Sequence, residues 1–93
     1  MIQIIQNVIF EGKVQGVGFR YCTKELAKGY EVTGWIKNLP TGVVEMAVKG
    51  KESEVHEFLT AINKSEVAKH IKKTTISEHK DQRQTYTDFR IIT

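Results

Sequence analysis

Cysteine and proline occur once each in this chain of 93 residues, as Cys22 and Pro40, and tryptophan once, as Trp35. A lone cysteine closes no intramolecular disulfide, which excludes the stapled architecture of small secreted domains and favours a reducing compartment. The opening stretch from Met1 to Phe10 has no basic start, and Gln3, Gln6 and Asn7 interrupt its apolar residues. It reads neither as a signal peptide nor as a membrane span, so a cytoplasmic protein with no membrane partner is expected. Repeats, linkers and low-complexity segments are lacking as well. His56, His70 and His79 lie far apart, with no cysteine or carboxylate at ligand spacing, and neither a zinc site nor another cofactor is expected.

What is present is an ordinary globular composition, 40% hydrophobic and 27% charged. That suits one compact core and a single domain over residues 1–93. A chain of this length buries roughly two thirds of its unfolded surface, enough to fold alone with little reserve. The formal net charge is +3, which makes an anionic partner plausible without choosing among small phosphates, nucleic acid and membranes. Lys64, Lys69, Lys72 and Lys73 gather after the middle of the chain and read as a solvated face.

Hydrophobic periodicity predicts a strand over Ile4 to Val14, then a helix carrying Phe19, Cys22, Leu26 and Tyr30 on one side. Val32, Gly34 and Ile36 alternate up to the turn-forming Asn38-Leu39-Pro40-Thr41-Gly42, and Val44, Met46 and Val48 resume the alternation, which predicts a hairpin. Val55, Phe58, Leu59 and Ile62 follow at helical spacing with Ser53 as the expected N-cap. Two strands are expected in the remainder, one within Val67 to Ser77 and one over Thr87, Phe89 and Ile91. The order strand, helix, strand, strand, helix, strand predicts an α+β, ferredoxin-like (βαββαβ) two-layer sandwich, with two helices on one face of an antiparallel sheet.

The stretch Gly12-Lys13-Val14-Gln15-Gly16-Val17-Gly18-Phe19-Arg20 lies between a predicted strand and a predicted helix. Two glycines let the main chain curl, and a helix start offers unpaired N–H groups at the positive end of a dipole, so such a loop can hold an anion. Arg20 adds a permanent cation whose forked donors match phosphate oxygens. Taken alone, the glycines could merely turn the chain and Arg20 could be a solvated helix residue. The loop is neither a Walker loop nor the dinucleotide-binding pattern.

Val14-Gln15-Gly16-Val17-Gly18-Phe19-Arg20 closely resembles the signature of the acylphosphatases. Gly34-Trp35-Ile36-Lys37-Asn38, followed by Gly42-Val43-Val44, resembles that family's second signature, and Phe89-Arg90-Ile91 looks like its last strand. The resemblance spans essentially the whole chain and implies a ferredoxin-like fold and metal-free hydrolysis of acyl phosphates to a carboxylate and inorganic phosphate. It implies that Arg20 and the main-chain amides of Gln15, Gly16, Val17, Gly18, Phe19 and Arg20 bind the phosphoryl group, and that Arg20 and Asn38 are catalytic, Asn38 holding the attacking water. The partners implied are a small acyl phosphate and inorganic phosphate, with no nucleic acid, and a monomer is expected.

Two departures from the family pattern stand out. Thr41 occupies a turn position more often acidic or asparagine, and Glu31 stands where a glycine would end the first helix, which predicts a reshaped or strained helix end. Cys22 is expected in the core, and Trp35 and Tyr30 in packing roles. Two other readings keep the same fold: a non-catalytic phosphate-binding regulatory module, and an RNA-binding domain. The second is disfavoured because Val43 to Lys49 offers no stacking aromatic and carries Glu45.

Overall fold

Alternation of buried and half-exposed side chains over Gln3–Gly12 forms the first strand, β1, in a computed structural model that describes residues 2–92. Helix α1 follows over Phe19–Ala27, then strands β2 (Val32–Asn38) and β3 (Val44–Lys51), helix α2 (Glu52–Lys64), a 3₁₀ turn over Glu66–His70, and strands β4 (Ile71–Glu78) and β5 (Phe89–Ile91). The sheet order is β4-β1-β3-β2-β5. Both helices pack on one face, where Val8, Phe10, Ile36, Met46 and Val48 meet Phe19 from α1 and Val55, Phe58 and Ile62 from α2. Phe58 sits between Tyr30 and Phe89, with ring centroids 6.0 and 5.5 Å away. This is the expected ferredoxin-like arrangement.

Several expectations are corrected. The sheet is mixed, because β5 runs parallel to β2 while the other pairings are antiparallel. β4 and β5 lie at opposite edges, so residues 79–88 must cross the helix-free face to join them. Gln82 anchors the crossing by exchanging hydrogen bonds with both main-chain groups of Ile5, at 3.0 Å each, and Lys49 Nζ donates to the Gln84 carbonyl. This cover explains why Ile5 and Ala47 are fully buried on that face.

β1 stops at Gly12, short of Val14, where a bulge against β4 shifts the register. α1 ends at Ala27, so Tyr30 packs on the core from beyond the helix. Ser53 is not the cap of α2: the helix already begins at Glu52, Lys51 holds the cap position without a side-chain bond, and Glu52 and Glu54 place negative charge near the positive helix end. Val67 falls in the 3₁₀ turn, and Thr87 precedes β5. Glu31 is unstrained: α1 ends with Lys28 in a right-handed conformation, and among the described residues only glycines have positive φ. The Glu31 N–H instead donates to Glu54 Oε1 at 2.8 Å, tying the exit of α1 to the start of α2.

Candidate active site

The chain leaves β1 at Gly12 and reaches α1 at Phe19, and in between Val14 drops into the core while Gly16 and Gly18 adopt left-handed φ of 78° and 79°. Nothing lies within 4 Å of where a Cβ would stand on either glycine. Backbone conformation, rather than crowding, therefore demands glycine here. Gly18 is also the N-cap of α1 and supplies no side-chain acceptor, and the first turn of the helix contains no acidic residue. The donors at that helix end are left to whatever occupies the loop.

Phe19 fixes the helix start, fully buried with its ring 4.9 Å from that of Phe10. Arg20, next in the chain, is half-buried, and among the described residues it enters no ion pair. Asn38 arrives from the end of β2. It is placed by a tight turn in which the Leu39 N–H donates to the Val43 carbonyl at 2.9 Å and the Gly42 N–H to the Leu39 carbonyl at 3.0 Å. The two segments meet around a cavity of about 150 Å³ lined by Val14, Gly16, Gly18, Phe19, Arg20, Tyr21, Asn38 and Ile91. Asn38 Oδ1 is shielded from solvent and has no hydrogen-bond partner.

Of the residues singled out from the sequence, Gly16, Gly18, Phe19, Arg20 and Asn38 share this cavity, whereas Gln15 and Val17 do not line it. The Gln15 side chain has a different task. Its Nε2 donates to the carbonyls of Leu39 and Val43 at 2.8 and 2.9 Å, bolting the loop to the turn that carries Asn38. Sequence reasoning placed Gln15 in the loop for its main chain and missed this tie, which depends on a hairpin 24 residues away. Val14, Tyr21 and Ile91 were missed as lining residues as well; Tyr21 directly follows Arg20, but Ile91 reaches the cavity only because β5 pairs with β2.

Gln15→Ala removes both bonds and leaves two carbonyls with fewer donors. A loss of about 1–2 kcal/mol in stability is expected, because each net hydrogen bond is worth about 1 kcal/mol. A fall in turnover should accompany it as Asn38 loosens from the loop. Chemical denaturation and steady-state kinetics on the same preparation check both.

Cys22 is half-buried and packs against the core. Among the described residues, no group of three or more histidine, cysteine, aspartate or glutamate side chains is placed to hold a metal ion. A larger hollow of about 260 Å³ beside Trp35, Tyr86 and Arg90 is bordered by an Asp88–Arg90 pair 2.8 Å apart, in which the guanidinium holds the Asp88 carboxyl below its usual range. It is lined by one glycine, Gly34, and its guanidinium is already engaged by Asp88. The smaller cavity is therefore the better anion site.

Known proteins share this chain's sequence pattern and fold. The acylphosphatase family model matches residues 6–91. An acylphosphatase of Geobacillus thermodenitrificans is 42% identical over 86 residues, covering 92% of this chain and 90% of its own, and one of Bordetella parapertussis is 36% identical over 83 residues, covering 89% and 87%. The crystal structure of acylphosphatase from Bacillus subtilis superposes with a TM-score of 0.86 at 27% identity, covering 99% of this chain and all of that one. With the family model spanning nearly the whole chain and both signatures meeting around one cavity, this protein belongs to the acylphosphatase family of hydrolases.

Proposed function

We propose that this protein hydrolyses the carboxyl–phosphate bond of small acyl phosphates, giving a carboxylate and inorganic phosphate without a metal ion. The reading rests above all on Asn38 lining the same cavity as Arg20 and the uncapped start of α1. The Asn38 amide, at the cavity wall, orients a water beside a bound phosphoryl group. The main-chain N–H groups of residues 15–20 and the Arg20 guanidinium take the phosphoryl oxygens. The water oxygen then attacks phosphorus in line as the bond to the carboxylate oxygen breaks.

Carboxylate is a good leaving group and departs with the electron pair, so the protein supplies position and charge stabilisation rather than a strong base. Asn38 accepts from the water but cannot take its proton at neutral pH; that proton goes to an oxygen of the substrate. The same reading takes the chain as one cytoplasmic domain acting on a small molecule. The make-up of β3 supports it, because a strand without aromatic side chains offers no platform for stacking bases.

The test is hydrolysis of benzoyl phosphate by the purified protein in excess EDTA. Rapid turnover unaffected by the chelator is the expected outcome. Phosphate binding without turnover would instead make the protein a non-catalytic phosphate-binding module.

A further inference from the structure

The residues that line the candidate active site differ in what they can offer a substrate. Gly16 and Gly18 carry no side chain, Val14 and Phe19 are fully buried, and Arg20 and Asn38 are polar. Tyr21 and Ile91 remain as the apolar side chains that a ligand can reach. Ile91 is half-buried and packs on the core. Tyr21 is 66% exposed and lies outside the core cluster, so the fold itself makes no use of its ring.

Size decides where an acyl group goes. The cavity holds about 150 Å³, whereas clefts that enclose a whole drug-sized molecule run from about 300 to 1,000 Å³. A phosphoryl group and one water, whose own share is about 30 Å³, leave little room, so the acyl group lies outside against the rim. Granting the hydrolysis proposed above, on which this inference rests, in-line displacement sets the leaving carboxylate across phosphorus from the water. That water is given to Asn38 at the end of β2, and Ile91 stands on the same side, because β5 pairs with β2 through Ile36 and Ile91. The acyl group therefore departs toward α1. Tyr21 belongs to the first turn of that helix, and helical side chains lean toward the N-terminal end, which here is the mouth of the loop.

We propose that the Tyr21 ring is the platform on which the acyl group rests, and that it makes this protein select acyl phosphates with flat, apolar acyl groups over acetyl phosphate. A ring laid on the tyrosine face gains an offset or edge-on aromatic contact, whereas a methyl group covers little of it. The contact is made equally in the ground state and the transition state, so it acts through KM.

Steady-state kinetics with benzoyl phosphate and acetyl phosphate test this, read as the ratio of their kcat/KM values so that intrinsic reactivity cancels between variants. Tyr21→Ser should lower the ratio about tenfold, the smaller end of what apolar contacts discriminate, with the change in the KM for benzoyl phosphate. Tyr21→Phe keeps the ring and should keep the ratio, and Ile91→Ala should leave the ratio near the wild-type value. Calorimetric binding of phenacylphosphonate and acetonylphosphonate, in which CH₂ replaces the bridging oxygen, makes the same comparison without turnover; the wild-type protein should prefer the first, and Tyr21→Ser should lose that preference. No turnover of either acyl phosphate would remove the hydrolase reading, and the phosphonates would still decide the role of Tyr21. A ratio and a phosphonate preference that Tyr21→Ser leaves unmoved would overturn the proposal, as would a ratio that falls as far in Tyr21→Phe or that moves with Ile91→Ala instead.

Discussion

Arg20→Ala and Asn38→Ala are each expected to lose about 100- to 1,000-fold in turnover of benzoyl phosphate, the usual cost of removing one well-placed group that stabilises a transition state. The two losses should differ in kind. On the proposed reading Arg20 meets the phosphoryl group in the ground state as well as the transition state, so its removal should also weaken competitive inhibition by inorganic phosphate. The same reading gives Asn38 the water, so its removal should lower kcat while leaving phosphate inhibition near the wild-type value. Arg20→Lys should recover only part of the loss, because an ammonium is a point charge and cannot fork across two oxygens.

Stability should move against activity at Asn38. The alanine variant deletes a shielded oxygen that has no partner in the free protein, so its thermal midpoint is expected to hold or rise while turnover collapses. A fall in both together would mean that Asn38 supports the β2–β3 turn, and its assignment to the water would be withdrawn. Near-normal turnover in either folded variant would remove that residue from the mechanism.

Gly34→Ala is expected to be the most damaging single methyl in the molecule. Gly34 lies in β2 with φ of 146°, and a Cβ there would collide with the carbonyl oxygen of Ala47 on β3. That neighbour is main chain in the middle of the sheet and cannot swing away. The Gly34 N–H also donates to the Asp88 carbonyl at 2.9 Å, so a displaced β2 pulls on the entry to β5. A loss of about 4 kcal/mol or more is expected, in the range reserved for forced backbone shifts and overpacked cores. Urea denaturation measures it directly; a loss under about 1 kcal/mol would show that β2 and β3 can part without cost.

The contrast between Gly34 and the loop glycines shows what a sequence conveys. Gly16 and Gly18 announce themselves by spacing, between a strand pattern and a helix pattern, and their role follows from backbone freedom alone. Gly34 sits inside an alternating strand, and the need for it arises from a partner strand whose register is set by the whole sheet. Arg20 and Asn38 were legible because two signatures carried them, and their convergence needed only the hairpin to fold back beside the loop. The two bonds of Gln15 to the turn and the arrival of Ile91 were not legible, because each depends on where a distant element lands.

The boundaries failed for similar reasons. Val14 continues the apolar alternation of β1, but it is buried after the strand has ended, because the bulge at Gly12 turns the chain while the core still claims the side chain. Ser53 has the right chemistry for a cap, yet α2 begins directly as β3 ends, leaving no turn in which a serine could serve. Parallel pairing of β5 with β2 could not be read from a local pattern of three residues.

The passage of residues 79–88 over the helix-free face bears on how the chain folds. β2 and β3 form a hairpin from neighbouring segments, but the seam between β5 and β2 cannot close until the sheet exists for the crossing to lie upon. Loop closure over such a span is slow relative to hairpin formation, since its entropy is spent before any contact rewards it. The wall of the cavity formed by Ile91 therefore belongs to the last-formed part of the molecule, and the site is complete only once the final strand has docked. A nascent or partly opened chain, with both helices already in place, would present the loop without one wall of its cavity.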